Sequence, residues 1–369
     1  MKSLKPIPLA EPFFFGKEKK FLIDCIKSGW ITTSGEYLNK FELEIKKITK
    51  AKYCCALING SSSLQLAIRS LNPKLDDEIL VPSITFIASV NAIKYNNCNP
   101  VFMDVDDSYL IDLNKTFQFL KENTYRKKGY TINKKTNKRI ISVVIVHTFG
   151  NCVNITKSII ALFKNYNIKI IEDAAESLAS YHQENNKIKH SGLLGDIGCL
   201  SFNGNKIITS GGGGMIITNN KTYYQKIKYL SLQAKNDVIN FIHNEIGYNF
   251  RMPNINAALG CAQLEQLPLF LENKRNLAKE YEIFFKEKGI KFRTETQGTK
   301  ANYWLMCIEL ENKTDYNNFL KDTNESNIMT RPVWELMSKL PMYTHCQRDS
   351  QKNAIKLKDI IINIPSGVR

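Results

Sequence analysis

The chain has 369 residues, 43% of them hydrophobic and 23% charged, a composition usual for soluble globular proteins and not for disordered or fibrous ones; one hydrophobic core rarely serves so long a chain, so two packed domains are expected. No apolar run approaches the roughly 20 residues that cross a bilayer. The stretch Met1 to Phe15, with its aromatic patch Phe13, Phe14 and Phe15, lacks the basic start, longer apolar core and small-residue cleavage site of a signal peptide, which points to the cytoplasm.

The formal charge of +16 suits anionic ligands. No nucleic-acid-binding signature accompanies it, and the chain is rich in Lys, Asn and Ile, so a solvated basic surface explains most of the excess. The nine cysteines show no paired CxxC spacing. They read as free thiols, many of them buried small hydrophobes, with no metal site expected.

In chain order, the run from Cys54 to Ile58 reads as a strand ending at Asn59-Gly60, and Ser62 to Leu71 as a helix. Strands follow at Glu78 to Pro82 and Val101 to Asp104, with a helix from Ile87 to Tyr95 between them. The basic stretch Arg126 to Arg139 reads as an exposed hairpin or loop insertion. Ile140 to His147 is the continuous apolar run of a strand buried on both faces. A helix from Ile155 to Asn165 and a strand from Lys169 to Asp173 complete a β-α-β-α rhythm, which implies an α/β fold with a mostly parallel central sheet. Past residue 250 the pattern changes. Helices are expected from Asn256 to Leu264, separately from Pro268 to Lys288, and from Thr314 to Asn324, with a strand from Tyr303 to Leu310. The division is therefore 1–250 for a large domain and 251–369 for a smaller α+β domain.

Four segments carry chemistry. In Ser201-Phe202-Asn203-Gly204-Asn205-Lys206, the lysine precedes four glycines, Gly211 to Gly214, and a strand from Met215 to Thr218. The order excludes a Walker A loop. Alone it suits a flexible glycine turn, but a desolvated lysine beside small residues can also attack a carbonyl as an amine. In Ile170-Ile171-Glu172-Asp173-Ala174-Ala175-Glu176, a strand ends in carboxylates, where open α/β sheets bind ligands; Asp173 either caps a helix or pairs with a ring nitrogen. Asn59-Gly60-Ser61-Ser62-Ser63 lies between strand and helix, as a plain cap or as a phosphate site. Phe86, after Val81-Pro82-Ser83-Ile84-Thr85, is either core or a platform for a planar ring.

Together, in this order, the segments resemble fold-type I pyridoxal-phosphate (PLP) enzymes with the aspartate aminotransferase-like fold. More narrowly they resemble the DegT/DnrJ/EryC1/StrS family of sugar aminotransferases. The likeness runs from Gly29-Trp30 to Pro365 and is strongest in Gly195 to Gly214. The runs Thr330-Arg331-Pro332-Val333-Trp334, Leu340 to Tyr343 and Ile362 to Ser366 look most like the aminotransferases of legionaminic acid biosynthesis, with similarity also to those of the bacillosamine pathway.

The resemblance implies a role for each residue. Lys206 matches the lysine that bonds to PLP and later moves the proton, and Asp173 the carboxylate on the pyridine nitrogen. Glu176 falls where the family often has Gln or His near the ring hydroxyl. Gly60, Ser61 and Ser201 match phosphate-binding positions, with Ser62 assisting. Phe86 matches the stacking aromatic, and Asn203 joins the cofactor-binding set. Asn249 matches an asparagine that reaches the cofactor phosphate of a neighbouring subunit, which implies a homodimer with shared active sites and an N-terminal segment serving substrate and dimer. Arg251 is either an anion ligand or a structural arginine. His147 is a structural histidine near the site.

The implied reaction is a ping-pong transamination. L-Glutamate leaves as 2-oxoglutarate, and the amine passes to a UDP- or GDP-linked 2-acetamido-2,6-dideoxy-4-keto-hexose in bacterial surface-glycan or legionaminic acid biosynthesis. Transamination of a 3-keto-sugar or cyclitol is the alternative, and a noncatalytic regulator on the PLP fold a remoter one. A sugar dehydratase of this fold would carry histidine in place of Lys206. Neither nucleic acid nor membrane is implied as a partner.

Overall fold

A computed structural model describes residues 5–184, 187–237 and 239–369. Residues 1–4, part of the N-terminal stretch weighed above as a leader, lie outside the described residues. Two helices open the chain, α1 (Glu18–Ser28) and α2 (Glu36–Thr49). They are followed by β1 (Tyr53–Leu57), α3 (Gly60–Ser70), β2 (Glu78–Pro82), α4 (Ile87–Tyr95), β3 (Asn99–Met103) and α5 (Leu113–Asn123). Then come β4 (Thr124–Lys127), β5 (Tyr130–Asn133), β6 (Arg139–Val146), α6 (Lys157–Asn165) and β7 (Lys169–Asp173). The hairpin β8 (Tyr181–Glu184) and β9 (Lys187–His190), strands β10 (Ile197–Ser201) and β11 (Gly214–Thr218), and helix α7 (Lys221–Ser231) complete the larger part, and the long helix α8 (Asn254–Glu287) follows.

The main sheet has the order β1-β11-β10-β7-β6-β2-β3. Neighbours from β10 to β3 pair in parallel, while β11 runs antiparallel to both β10 and β1. Strand β1 therefore points the same way as β10, and six carboxyl ends open on one side. Alternation sends successive side chains to opposite faces. Cys55, Leu57, Val81, Val144 and Ile171 join a core with α3, α4 and α7, whereas Cys54, Ala56, Leu200 and Met215 join one with α1, α2 and the first half of α8. A third core packs Val143, Ile145 and Ile170 against Phe119 of α5 and Phe163 of α6.

Three expectations change. The basic stretch forms the hairpin β4–β5, but β5 pairs with β6 and extends the main sheet. Its lysines are exposed, whereas Thr131, Ile132 and Asn133 are buried, with Asn133 Nδ2 donating to Glu78 Oε2 at 2.7 Å. An insertion needs only one polar face to stay soluble, and the other completes the sheet. Secondly, Pro268 starts no new helix: α8 runs unbroken through it for 34 residues. Proline removes one amide donor and crowds the preceding turn. Burial on both sides of it offsets that cost, since Ala257, Ala258, Cys261, Leu264 and Leu267 lie in the first core and Leu277, Ala278 and Phe285 in the core of a smaller sheet.

That smaller sheet has Lys291–Phe292, Met306–Glu309, Ile361–Ile364 and Arg331–Pro332 as successive neighbours, all antiparallel. The expected strand from Tyr303 begins only at Met306, because Tyr303 takes a left-handed backbone (φ 52°) that no strand accommodates.

Helix α8 also carries Lys274, 4% exposed, whose Nζ donates to the carbonyls of Trp304 and Ser366. Burial pushes its pKa from the usual 10.5 down to about 7. Between these values the unfolded chain binds the proton and the folded chain does not, so stability should rise with pH across that window. Urea titrations at pH 7 to 10.5 should show a positive slope approaching about 1.4 kcal/mol per pH unit that Lys274→Met removes; equal slopes in both proteins would contradict it.

Candidate active site

A cavity of about 730 Å³ opens where the strands end at their carboxyl side, the position at which open α/β sheets bind ligands. Gly60, Ser61, Phe86, Asp173, Glu176, Ser201, Asn203 and Lys206 all line it.

Asp173 is the last residue of β7 and only 6% exposed. Its Oδ2 accepts from Ser89 Oγ at 2.6 Å and its Oδ1 from the Ala175 amide at 3.1 Å. Ser89 lies in the first turn of α4 and is itself bonded to Thr85 Oγ1 at 2.9 Å. The carboxylate is thus aimed before any ligand arrives. The preceding residue, Glu172, points to the opposite face and accepts from the amides of Gly192 and Gly195. It also meets His147 Nε2 at 2.9 Å, while the Val153 amide donates to His147 Nδ1. That leaves the His147 proton on Nε2, donated to Glu172. His147 does not line the cavity.

Lys206 lies in the connection from β10 to β11, its amide bonded to Asn203 O at 3.0 Å. Its Nζ is 3.5 Å from Glu176 Oε1 and 3.7 Å from the centroid of the Trp304 ring. The other oxygen of Glu176 accepts the Phe149 amide at 2.7 Å. Burial raises the Glu176 pKa from 4.5 to about 7, even though Lys206 and the Phe149 amide pull it the other way.

The phosphate-type cup is made at the start of α3. Asn59 Oδ1 caps the Ser62 amide at 2.7 Å. The amides of Gly60 and Ser61, in the first turn, have no acceptor within their own helix. A Cβ on Gly60 would come within 2.9 Å of Ser201 Cβ, so only glycine lets the helix start approach β10 this closely. A Cβ on Gly214 would come within 2.3 Å of Asn59 O, which makes that glycine a backing for the same turn. Ser62, 6% exposed, does not line the cavity, and its amide belongs to Asn59. Phe86 is 52% exposed, with its ring centroid 6.1 Å from that of Trp334.

Two expected residues lie elsewhere. Asn249 is exposed and outside the cavity, in an isolated bridge with Leu232. Arg251 is buried, with Nη1 donating to Glu42 Oε1 at 2.8 Å and Ala56 O at 3.0 Å, which makes it a structural arginine pinning β1. Among the described residues, no three His, Cys, Asp or Glu side chains are placed to hold a metal, and all nine cysteines are buried thiols. No helix among them is long and apolar enough to cross a membrane.

The structure adds Ser89 behind Asp173, and Trp304, Arg331, Trp334, Glu335 and Asn363 on the cavity wall. The i, i+4 spacing of Thr85 and Ser89 is a signal the sequence offers. The others arrive through the smaller sheet and carry none locally.

This set of groups fits PLP. It provides an anion cup, a carboxylate held by two donors, a lysine within the same cavity and an exposed ring at the mouth. The comparisons agree. The DegT/DnrJ/EryC1/StrS aminotransferase family model matches residues 16–369. The GDP-perosamine synthase of Escherichia coli O157:H7 is 35% identical over 344 residues, 92% of this chain and 88% of that protein. The dTDP-3-amino-3,6-dideoxy-alpha-D-galactopyranose transaminase of Aneurinibacillus thermoaerophilus is 27% identical over 342 residues, 92% of this chain and 87% of that one. In fold, the chain matches PseC of Helicobacter pylori, an aminotransferase involved in pseudoaminic acid biosynthesis, with a TM-score of 0.86 at 22% identity over 98% of this chain and 94% of that one. The chain belongs to the DegT/DnrJ/EryC1/StrS aminotransferase family and is a PLP-dependent aminotransferase.

Proposed function

We propose that this aminotransferase moves an amino group from L-glutamate to a nucleotide-linked keto-sugar, with Lys206 and Asp173 as its catalytic residues. The observation that carries the reading is one cavity holding Lys206, Asp173 and the α3 amides together. When bound, PLP supplies an electrophilic carbon for the amine and a ring that withdraws the electrons of the bond broken at the donor carbon. In this reading the Gly60 and Ser61 amides and Ser201 hold the phosphate, and Phe86 covers one face of the ring. Asp173 keeps a proton on the ring nitrogen, and Glu176 and Asn203 complete the ring contacts. Lys206 Nζ would carry a proton from the donor carbon to the cofactor carbon in the first half-reaction and from the cofactor carbon to the sugar carbon in the second.

The substrate's anionic portion has Arg331 on the outer wall to meet it. The name of the 35% identical relative favours a GDP-linked sugar. A UDP- or GDP-linked 2-acetamido-2,6-dideoxy-4-keto-hexose of the legionaminic acid route, suggested by the runs around Arg331 and Ile364, is the finer form. The dTDP-3-amino-sugar relative favours a second reading, a 3-keto acceptor. The same proposal divides the chain into a cofactor-binding unit, 1–250, and a smaller unit, 251–369, whose helix α8 packs its first half into the core of the cofactor-binding unit.

Addition of L-glutamate to the PLP-loaded protein should replace the cofactor's long-wavelength absorbance with that of the pyridoxamine form. Lys206→Ala should abolish the change, and Asp173→Asn should slow it while PLP still binds. GDP- and UDP-linked 4-keto-sugars and a dTDP-linked 3-keto-sugar, offered to the pyridoxamine form, then rank the acceptors by return of the first spectrum. A wild-type spectrum unmoved by every amino donor would overturn the reading.

We also propose a homodimer in which Asn249 serves the partner's phosphate site. It lies on an excursion whose apolar side chains Ile239, Phe241, Ile242 and Ile246 are exposed, as an intersubunit surface would be in a lone chain. Light scattering should give twice the 42.3 kDa chain mass. Asn249→Asp should weaken PLP binding. Mixed dimers of Asn249→Asp with Lys206→Ala should recover activity that neither homodimer has, because one site in each mixed dimer is intact; no recovery after proven subunit exchange would refute the shared site.

A further inference from the structure

Trp304 is fixed at every polar group it has. Its amide donates to Asn302 Oδ1 at 2.8 Å, its indole Nε1 donates to Asn205 O at 2.6 Å, and its carbonyl accepts Lys274 Nζ at 3.2 Å. Asn302 in turn donates to the carbonyls of Glu176 and Leu178, both at 2.9 Å. The left-handed Tyr303 turns the chain just before it. The indole is therefore tied to the backbone of the residue preceding Lys206, and the Trp304 amide is tied, through Asn302, to the backbone of Glu176. Its ring face lies 3.7 Å from Lys206 Nζ, which is also 3.5 Å from the Glu176 carboxylate. A buried lysine, Lys274, whose partners among the described residues are carbonyl oxygens, is an expensive way to hold one loop, and it holds the loop that carries this ring.

We propose that the Trp304 ring face and the Glu176 carboxylate together form a docking place for the Lys206 amine whenever that amine is not bonded to the cofactor, so that Trp304 is a positioning residue for Lys206. The inference rests on the reading of Lys206 as the cofactor-bonding lysine. In this reading the donor amine would take the lysine's place on the cofactor in the first half-reaction and the lysine would regain it only at the end of the second, and in between a long, flexible side chain must stay within reach of the reacting carbons. The negative face of an indole attracts an ammonium group, and the carboxylate on its other side orients the N–H donors. Water is kept from the side the ring covers, and the amine cannot swing out along the cavity wall.

The contact is tested first in the cofactor-free protein. Limited reductive methylation with formaldehyde and cyanoborohydride, followed by peptide mass spectrometry, gives the reactivity of Lys206 relative to the exposed Lys128. Trp304→Leu should raise that ratio by at least about fivefold, the least that a cation–π contact withdrawn from water should give, and Trp304→Phe should stay within about twofold of wild type. In the PLP-loaded protein, Trp304→Leu should slow a single turnover with L-glutamate while leaving the donor's dissociation constant within about twofold, and Trp304→Phe should restore the rate. Should the leucine variant not fold, 5-fluoro- and 5,7-difluorotryptophan in a Trp30→Phe, Trp334→Phe background keep the indole's shape while weakening its negative face, and the methylation ratio should climb stepwise with fluorination. Equal ratios across either series would overturn the proposal, as would a phenylalanine variant as reactive as the leucine one. If Lys206→Ala still converts with glutamate, the functional reading has failed instead; if Lys206→Ala is dead and the ratios do not move, only this inference has.

Discussion

The burial of Glu176 beside Lys206 constrains the rest of the site. A carboxylate taken out of water resists ionisation, and here burial raises its pKa to about 7. It can carry charge in that place only with compensation, which comes from Lys206 Nζ at 3.5 Å and the Phe149 amide at 2.7 Å. Phe149 itself takes a left-handed backbone (φ 59°), a cost accepted where the chain must turn its amide inward. Both charged residues follow neighbouring parallel strands, β7 and β10, so their meeting is a consequence of sheet order. The strand on the other side of β7, β6, leads to Phe149, whose amide reaches the same carboxylate.

The same logic separates two acidic neighbours. Glu172 and Asp173 are adjacent in sequence, and the strand sends them to opposite faces. Glu172 spends its acceptors on two glycine amides and His147 and is wholly internal. Asp173 spends its acceptors on Ser89 and Ala175 and still borders the cavity. Two carboxylates that look alike as letters are thus divided by strand parity into a structural and a ligand-facing group, with no difference in local composition to announce it.

Much of the larger part was legible for this reason. β2, α4 and β7 fall where the apolar runs placed them, because each run is short and bounded by turn residues. The cup at Asn59 to Ser61 and the end of β7 are equally local, since a strand-to-helix turn has to put amides or carboxylates at its tip. The failures were tertiary. Pro268 reads as a break until burial along α8 outweighs it, and Thr131 to Asn133 read as solvent-exposed until β6 offers them an edge. Trp304 stands beside a strand in the second part of the chain and reaches Lys206 only because Lys274, Asn302 and Asn205 hold it there. No spacing rule links residues about a hundred positions apart.

The cavity therefore has two halves of different origin. Its inner half is built from strand ends of one sheet, so the groups suited to PLP sit on short connections that brace one another, as Ser89 does Asp173. Its outer half, with Arg331, Trp334, Glu335 and Asn363, comes from the smaller sheet, where Arg331 pairs with Asn363 in register and Trp334 leans on Phe86 and Phe149. The two sheets meet through α8 and through a shared apolar cluster that includes Ile84, Phe149, Cys307 and Ile361, and among the described residues they share no hydrogen-bond ladder. Substitutions on the outer wall can then reshape what enters the cavity without disturbing the Asp173–Ser89 bond or the α3 amides. Acceptor choice can change in this architecture while the amine chemistry stays the same, which is the physical basis for seeking the sugar's determinants at Arg331 and Asn363 instead of at Lys206.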